Sequence, residues 1–98
     1  MPTYTRLTYR RQQGEIRRMA FHSPPAGFAR EVLAANMRAL RAKRGWSQEY
    51  LAFETGLHRT FIGHCERGVR NISVDNIEKI ARAFNVPVSE LFLQHQHK

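Results

Sequence analysis

The residues best placed to do chemistry in this sequence lie between Ser47 and Asn71. Two short helical stretches there are joined by only Gly56-Leu57-His58. A tight, glycine-containing turn between two helices is the helix-turn-helix arrangement. The second helix of such a pair has to project into the major groove of a duplex, about 12 Å wide, where base edges are exposed. The first lies across the backbone and offers its N-terminus to a phosphate. Ser47 is a good N-cap and Gln48 follows it, so a side-chain amide and free backbone N–H groups converge where an anion would sit.

Other chemistries find less support. His95 and His97 stand at i, i+2 in the polar stretch LQHQHK, and His22 is remote from them. A structural zinc needs four converging ligands, so no metal site is expected. The single cysteine, Cys65, excludes an intramolecular disulfide framework and a thiolate-rich zinc site. With Ile62 three residues before it, Cys65 reads as a small buried hydrophobe facing a core with Leu51, Ala52 and Leu57. Low cysteine usage suits a compartment that keeps thiols reduced, so a cytoplasmic location is expected. There is no paired-carboxylate helix face, nucleophile elbow or phosphate loop. A core this small also leaves little room for a substrate cavity. Neither an enzyme nor a cofactor is expected.

The elements that must position these residues are helical. The first helix is expected over roughly Ala29–Arg44, with Leu33, Met37 and Leu40 on one stripe, Pro24 and Pro25 upstream, and Gly45 as its stop. A second follows Ser47, carries Glu49 in its first turn where the dipole favours an acid, and runs to Thr55. A third covers about Arg59–Arg67 and ends at Gly68. A fourth follows Ser73, with Ile77, Ile80, Ala81 and Phe84 at i, i+3, i+4, i+7. Pro87 then permits a short last helix, Ser89–Leu93. No strand alternation competes after residue 27, so the fold class is all-α.

The organisation expected is a basic N-terminal arm over 1–27, a helical domain over 28–93 and a polar tail over 94–98. Within the arm, Tyr4, Arg6, Thr8 and Arg10 alternate with Thr5, Leu7 and Tyr9, and Gln13-Gly14 is a possible turn. The readings open there are a loosely ordered arm, a hairpin that two strands alone would hold only marginally, and upstream sequence before a true start at Met19.

A chain of 98 residues is one domain's worth and buries only about 60–65% of its unfolded surface. Its 42% hydrophobic and 24% charged residues fit a soluble globular domain rather than a disordered or fibrous chain. No run approaches the ~18 apolar residues of a membrane span, and the first 20 residues contain no signal-type apolar region. The formal charge is +8. Residues 1–30 carry six arginines and one acid, and residues 31–98 carry ten basic and seven acidic residues. That balance suggests a polyanionic partner, and charge alone leaves nucleic acid and an acidic membrane surface both open.

The stretch Leu33–Phe92 resembles the Cro and phage-repressor type of helix-turn-helix domain, the XRE family. The resemblance rests on LRAKRGWSQEYLA (40–52), ETGLHRTFIGHCERGVRN (54–71) and VDNIEKIARAFNVPVSELF (74–92). Within that family it is most similar to small controller proteins of restriction–modification systems. The resemblance implies a five-helix, lambda-repressor-like bundle that binds double-stranded operator DNA, usually as a two-fold homodimer. It places Arg59, Thr60, Phe61 and His64 on the outward face of the recognition helix as base contacts, Arg59 suiting guanine O6 and N7. Phe61 is able either to meet thymine methyl groups or to pack on a neighbouring helix. The resemblance assigns phosphate contacts to Gln48, Arg67, Arg70 and Asn71. Cys65 and the mid-helix Gly63 depart from the family pattern, and Gly63 costs about 1 kcal/mol of helix propensity relative to alanine. Glu66 is expected to pair with an arginine such as Arg41 or Arg82, since a carboxylate facing phosphates would repel them.

Phe84, Val86, Val88, Leu91, Phe92 and Leu93 supply more apolar surface than one small bundle needs, so they are the expected dimer contact. Two recognition helices about 34 Å apart would then read an inverted repeat. The competing function is a protein-interaction module, such as an antitoxin that binds DNA secondarily. Its partner segment would be the arginine-interleaved aromatic and aliphatic residues of 1–27.

Overall fold

A computed structural model describes residues 5, 6 and 24–95. The expectations for the arm, its hairpin, the Met19 start and a protein partner for 1–27 therefore lie almost wholly outside the described residues. Among the described residues there are four α-helices, α1 (Phe28–Arg44), α2 (Gln48–Thr55), α3 (Arg59–Glu66) and α4 (Val74–Phe84), followed by a 3-10 helix, Val88–Phe92. The class is all-α.

Two of the breaks use the same device. Gly45 and Gly56 take left-handed backbone angles, φ 69° and φ 71°, which side chains with a Cβ rarely adopt. The next amides then fold back, Trp46 N–H to Arg41 O at 2.9 Å and Leu57 N–H to Ala52 O at 3.2 Å. Each helix thus stops in a single residue with its last carbonyls satisfied. The starts are capped by side chains. Ser47 Oγ accepts from Tyr50 N–H at 3.0 Å and Ser73 Oγ accepts from Asn76 N–H at 3.1 Å. His58, which sequence inspection does not single out, caps α3 by accepting Thr60 N–H at its Nδ1, 3.0 Å away.

The fifth helix differs from expectation. It begins at Val88 and is wound as a 3-10 helix. Its bonds run three residues back, Glu90 N–H to Pro87 O and Leu93 N–H to Glu90 O. Five residues after a proline form the tighter turn more readily than an α-helix, whose first turn would leave most amides unpaired. Similarly, α3 ends at Glu66 and Arg67 is its C-cap.

Helix α1 packs against α3 and the 3-10 helix, and α2 packs against α3 and α4. Their shared core is Leu33, Met37, Leu51, Ile62, Cys65, Ile80, Phe84 and Leu91, all at most 2% exposed. Trp46 covers this core by stacking on Phe84, with ring centroids 5.4 Å apart. Asn36 is the buried polar exception that α1 carries. Its Nδ2 donates to Leu91 O at 2.7 Å and Leu93 O at 2.9 Å, so the C-terminal segment is fastened to α1 and the amide is satisfied.

Phe84 and Leu91 correct the expected dimer contact. Both are 0% exposed and belong to the core of the protomer itself. Val86 and Phe92 are partly buried against the same core, whereas Val88 is 37% and Leu93 48% exposed. The bundle is so small that it uses most of its C-terminal apolar residues internally.

Candidate nucleic-acid interface

The turn between α2 and α3 is pinned from inside. Thr55 is buried, and its Oγ1 donates within α2 and accepts Leu57 N–H at 3.2 Å. That bond sets where α3 departs. Around α3, Ile62, Cys65 and Glu66 are buried, Arg59, Thr60 and Arg67 are exposed, and Gly63 and His64 are half-buried. At 3.6 residues per turn, Arg59, Thr60, Gly63, His64 and Arg67 form one outward face. Three of the four expected base-reading residues are therefore brought together on it.

Phe61 stands on the flank of that face. It is half-buried against the core, and the Arg70 guanidinium lies over its ring, 5.2 Å from the centroid. Of the two readings open for Phe61, its place agrees with packing. Arg70 is thereby held beside α3 by a cation–π contact. Arg67 and Asn71 are exposed at the end of α3 and in the loop that follows.

Gln48 is placed by a buried carboxylate. Glu66, 2% exposed, accepts from Arg41 Nε at 2.8 Å, Arg41 Nη2 at 2.9 Å and Gln48 Nε2 at 3.0 Å. Arg41 Nη1 also donates to Trp46 O, and Arg38 donates to the Glu66 backbone carbonyl. One side chain thus ties α1, α2 and α3 together. Of the two arginines expected for Glu66, Arg41 is the partner, and the bidentate hydrogen bond raises its guanidinium pKa further. The control of Gln48 by Glu66 is a relation that sequence reasoning missed. The residues are 18 apart, and no local pattern links them.

Cys65 is 1% exposed, and desolvation pushes its thiol up to about 11, so it stays protonated and unreactive at neutral pH. Gly63 needs no special backbone angle, and a Cβ added there would meet Gln48 Oε1 at 3.7 Å, an ordinary contact. Gly63→Ala is therefore expected to stabilise the domain by up to about 1 kcal/mol and raise the thermal midpoint by roughly 4–8 °C. A calorimetric scan checks this; a lowered midpoint would mean that Gln48 does not tolerate the methyl group.

No helix among the described residues is long and apolar enough to cross a membrane. The family model for the helix-turn-helix domain HTH_3 matches residues 37–91. A hypothetical transcription factor of Neisseria meningitidis serogroup B is 48% identical over 69 residues, which cover 70% of this chain and 65% of that protein. The chain thus spans slightly less than two thirds of that relative's length. Control protein C.BamHI of Bacillus amyloliquefaciens is 49% identical over 63 residues, covering 63% of this chain and 78% of its own. Among solved structures, the restriction-modification controller protein C.Esp1396I, as a tetramer in complex with its natural 35 base-pair operator, superimposes with a TM-score of 0.61 at 29% identity, covering 66% of this chain and 86% of that one.

Proposed function

The chain belongs to the helix-turn-helix family of DNA-binding transcriptional regulators, and on that premise we propose that it binds an inverted-repeat operator as a homodimer. The observation that carries this reading is the single outward face of α3, polar and cationic, with Gln48 at its edge. In the major groove Arg59 donates to guanine O6 and N7, and Thr60 and His64 meet the neighbouring base edges. Gln48, through the amide hydrogen that Glu66 leaves free, and Arg67, Arg70 and Asn71 grip the phosphates on either side. Of the apolar residues expected at a dimer contact, Val88 and Leu93 are the exposed ones, and Leu93 lines a shallow groove with Phe28, Val32, Ala35 and Ala39 of α1. The operator-bound assembly of C.Esp1396I, a tetramer, supports association of more than one copy on DNA. Such a protein works where the DNA is, in the cytoplasm, and its affinity falls steeply with salt because phosphate contacts dominate it.

The test is selection from a random duplex pool with wild type and Arg59→Ala in parallel. An enriched inverted repeat with half-sites about one helical turn apart is expected. Arg59→Ala should relax one position of each half-site, at a cost of about 1–3 kcal/mol there. Bulk, salt-sensitive binding without enrichment would overturn the reading.

A further inference from the structure

The geometry points to Glu49 as a specificity-determining residue of this interface: a positioning carboxylate that holds Arg59 ready for guanine and withholds it from other sites. This rests on the reading in which Arg59 contacts a base.

Arg59 is the first residue of α3, a helix with no acid in its first turn. A cation at a helix N-terminus is disfavoured by the dipole. The compensating charge comes from across the turn, where Glu49 Oε1 lies 2.7 Å from Arg59 Nη1. The two side chains are 71% and 63% exposed. The α2 dipole favours an acid in its first turn, where Glu49 stands. An exposed pair of this kind adds at most about 1 kcal/mol to folding, so stability accounts for an acid at Glu49 but not for its reach across the turn to Arg59.

Its effect on recognition is larger, because of which hydrogens it uses. A guanidinium has five N–H groups in a planar fork. Glu49 engages Nη1, and the edge formed by Nε and Nη2 keeps two parallel donors, the pattern that O6 and N7 of guanine accept. An unrestrained arginine would spend its rotamer freedom on phosphates as readily as on bases. Held by Glu49, it is oriented before binding, which lowers the ordering cost at a site that presents guanine. At any other site the carboxylate acts against binding. Arg59 reaches a phosphate only by breaking the ion pair, and it leaves an unpaired negative charge close to the backbone. Discrimination then comes from penalising wrong sites as well as rewarding right ones.

The test titrates full-length wild type, Glu49→Gln, Arg59→Ala and the double variant, by fluorescence anisotropy, against two kinds of duplex. One is the duplex recovered by selection with wild type. The others carry each of its G·C pairs changed in turn to A·T. Glu49→Gln is expected to leave affinity for the recovered duplex within about two-fold, and to raise affinity about five-fold for the duplex altered where Arg59 reads. In the Arg59→Ala background the Glu49→Gln change should do nothing at that position. An equal rise on every duplex would reduce Glu49 to bulk charge and overturn the proposal. An equal loss on every duplex would make it a folding residue and overturn it too. Should Arg59→Ala relax no position at all, the base-reading role of Arg59 falls, and this inference with it; if only Glu49→Gln fails, that role stands.

Discussion

Arg41→Met is expected to lower the unfolding free energy by about 3–5 kcal/mol, the cost of leaving a buried carboxylate without its cation. Glu66 is 2% exposed and takes two of its three hydrogen bonds from Arg41. Removing the guanidinium leaves it only the Gln48 amide. Against a total stability of about 5–15 kcal/mol for a domain, that loss is large enough to populate unfolded chains at ambient temperature. Urea unfolding monitored by circular dichroism checks it, and the slope with denaturant should not change. A second variant, Arg41→Met with Glu66→Met, should recover most of the loss, because a buried pair replaced by apolar residues of similar volume is often near neutral. It would still be a poorer DNA binder than wild type, since Gln48 would lose the acceptor that orients it. A loss below about 1 kcal/mol in Arg41→Met would mean that water reaches Glu66.

Phe84→Ala is expected to cost a further class of energy, about 3–5 kcal/mol of lost packing and residual cavity. Phe84 is fully buried, stacks on Trp46 at 5.4 Å and lies under the Arg44 guanidinium, 5.3 Å from its ring centroid. Its removal withdraws the floor on which Trp46 sits. Trp46 in turn supplies the carbonyl that Arg41 holds. The thermal midpoint should therefore fall by tens of degrees, at roughly 4–8 °C per kcal/mol. The fall should be the same at any protein concentration, as befits a core residue. A loss confined to dilute protein would instead place Phe84 between copies of the chain.

The core stripe of α4 shows why some of this was legible beforehand. Ile77, Ile80, Ala81 and Phe84 repeat with helical period, and their inward packing, with Ile77 half-buried and the other three buried, follows from that period together with Ser73 at the start. The same reasoning cannot tell a core residue from an interface residue. Both are apolar and both recur on one face. Phe84 and Leu91 were for that reason expected in a dimer contact, and only the packing of α1, α4 and the 3-10 helix around them shows that one protomer consumes them. Phe61 is a similar case, since its type fits a base contact and core packing alike, and only the structure shows it half-buried with Arg70 over its ring.

The sequence by itself determined the four α-helices, the Ser47 and Ser73 caps, the stops at Gly45 and Gly56 and the tight turn that Gly56 makes. These depend on interactions between residues a few positions apart, which spacing and residue type are enough to specify. The tertiary structure alone decided the relations that cross the chain: Glu66 with Arg41 and Gln48, Glu49 with Arg59, and Asn36 with the carbonyls of Leu91 and Leu93. Hydrogen bonds and ion pairs act over about 3 Å, so they depend on how whole helices cross, and helix crossing is set by the packing of the complete core.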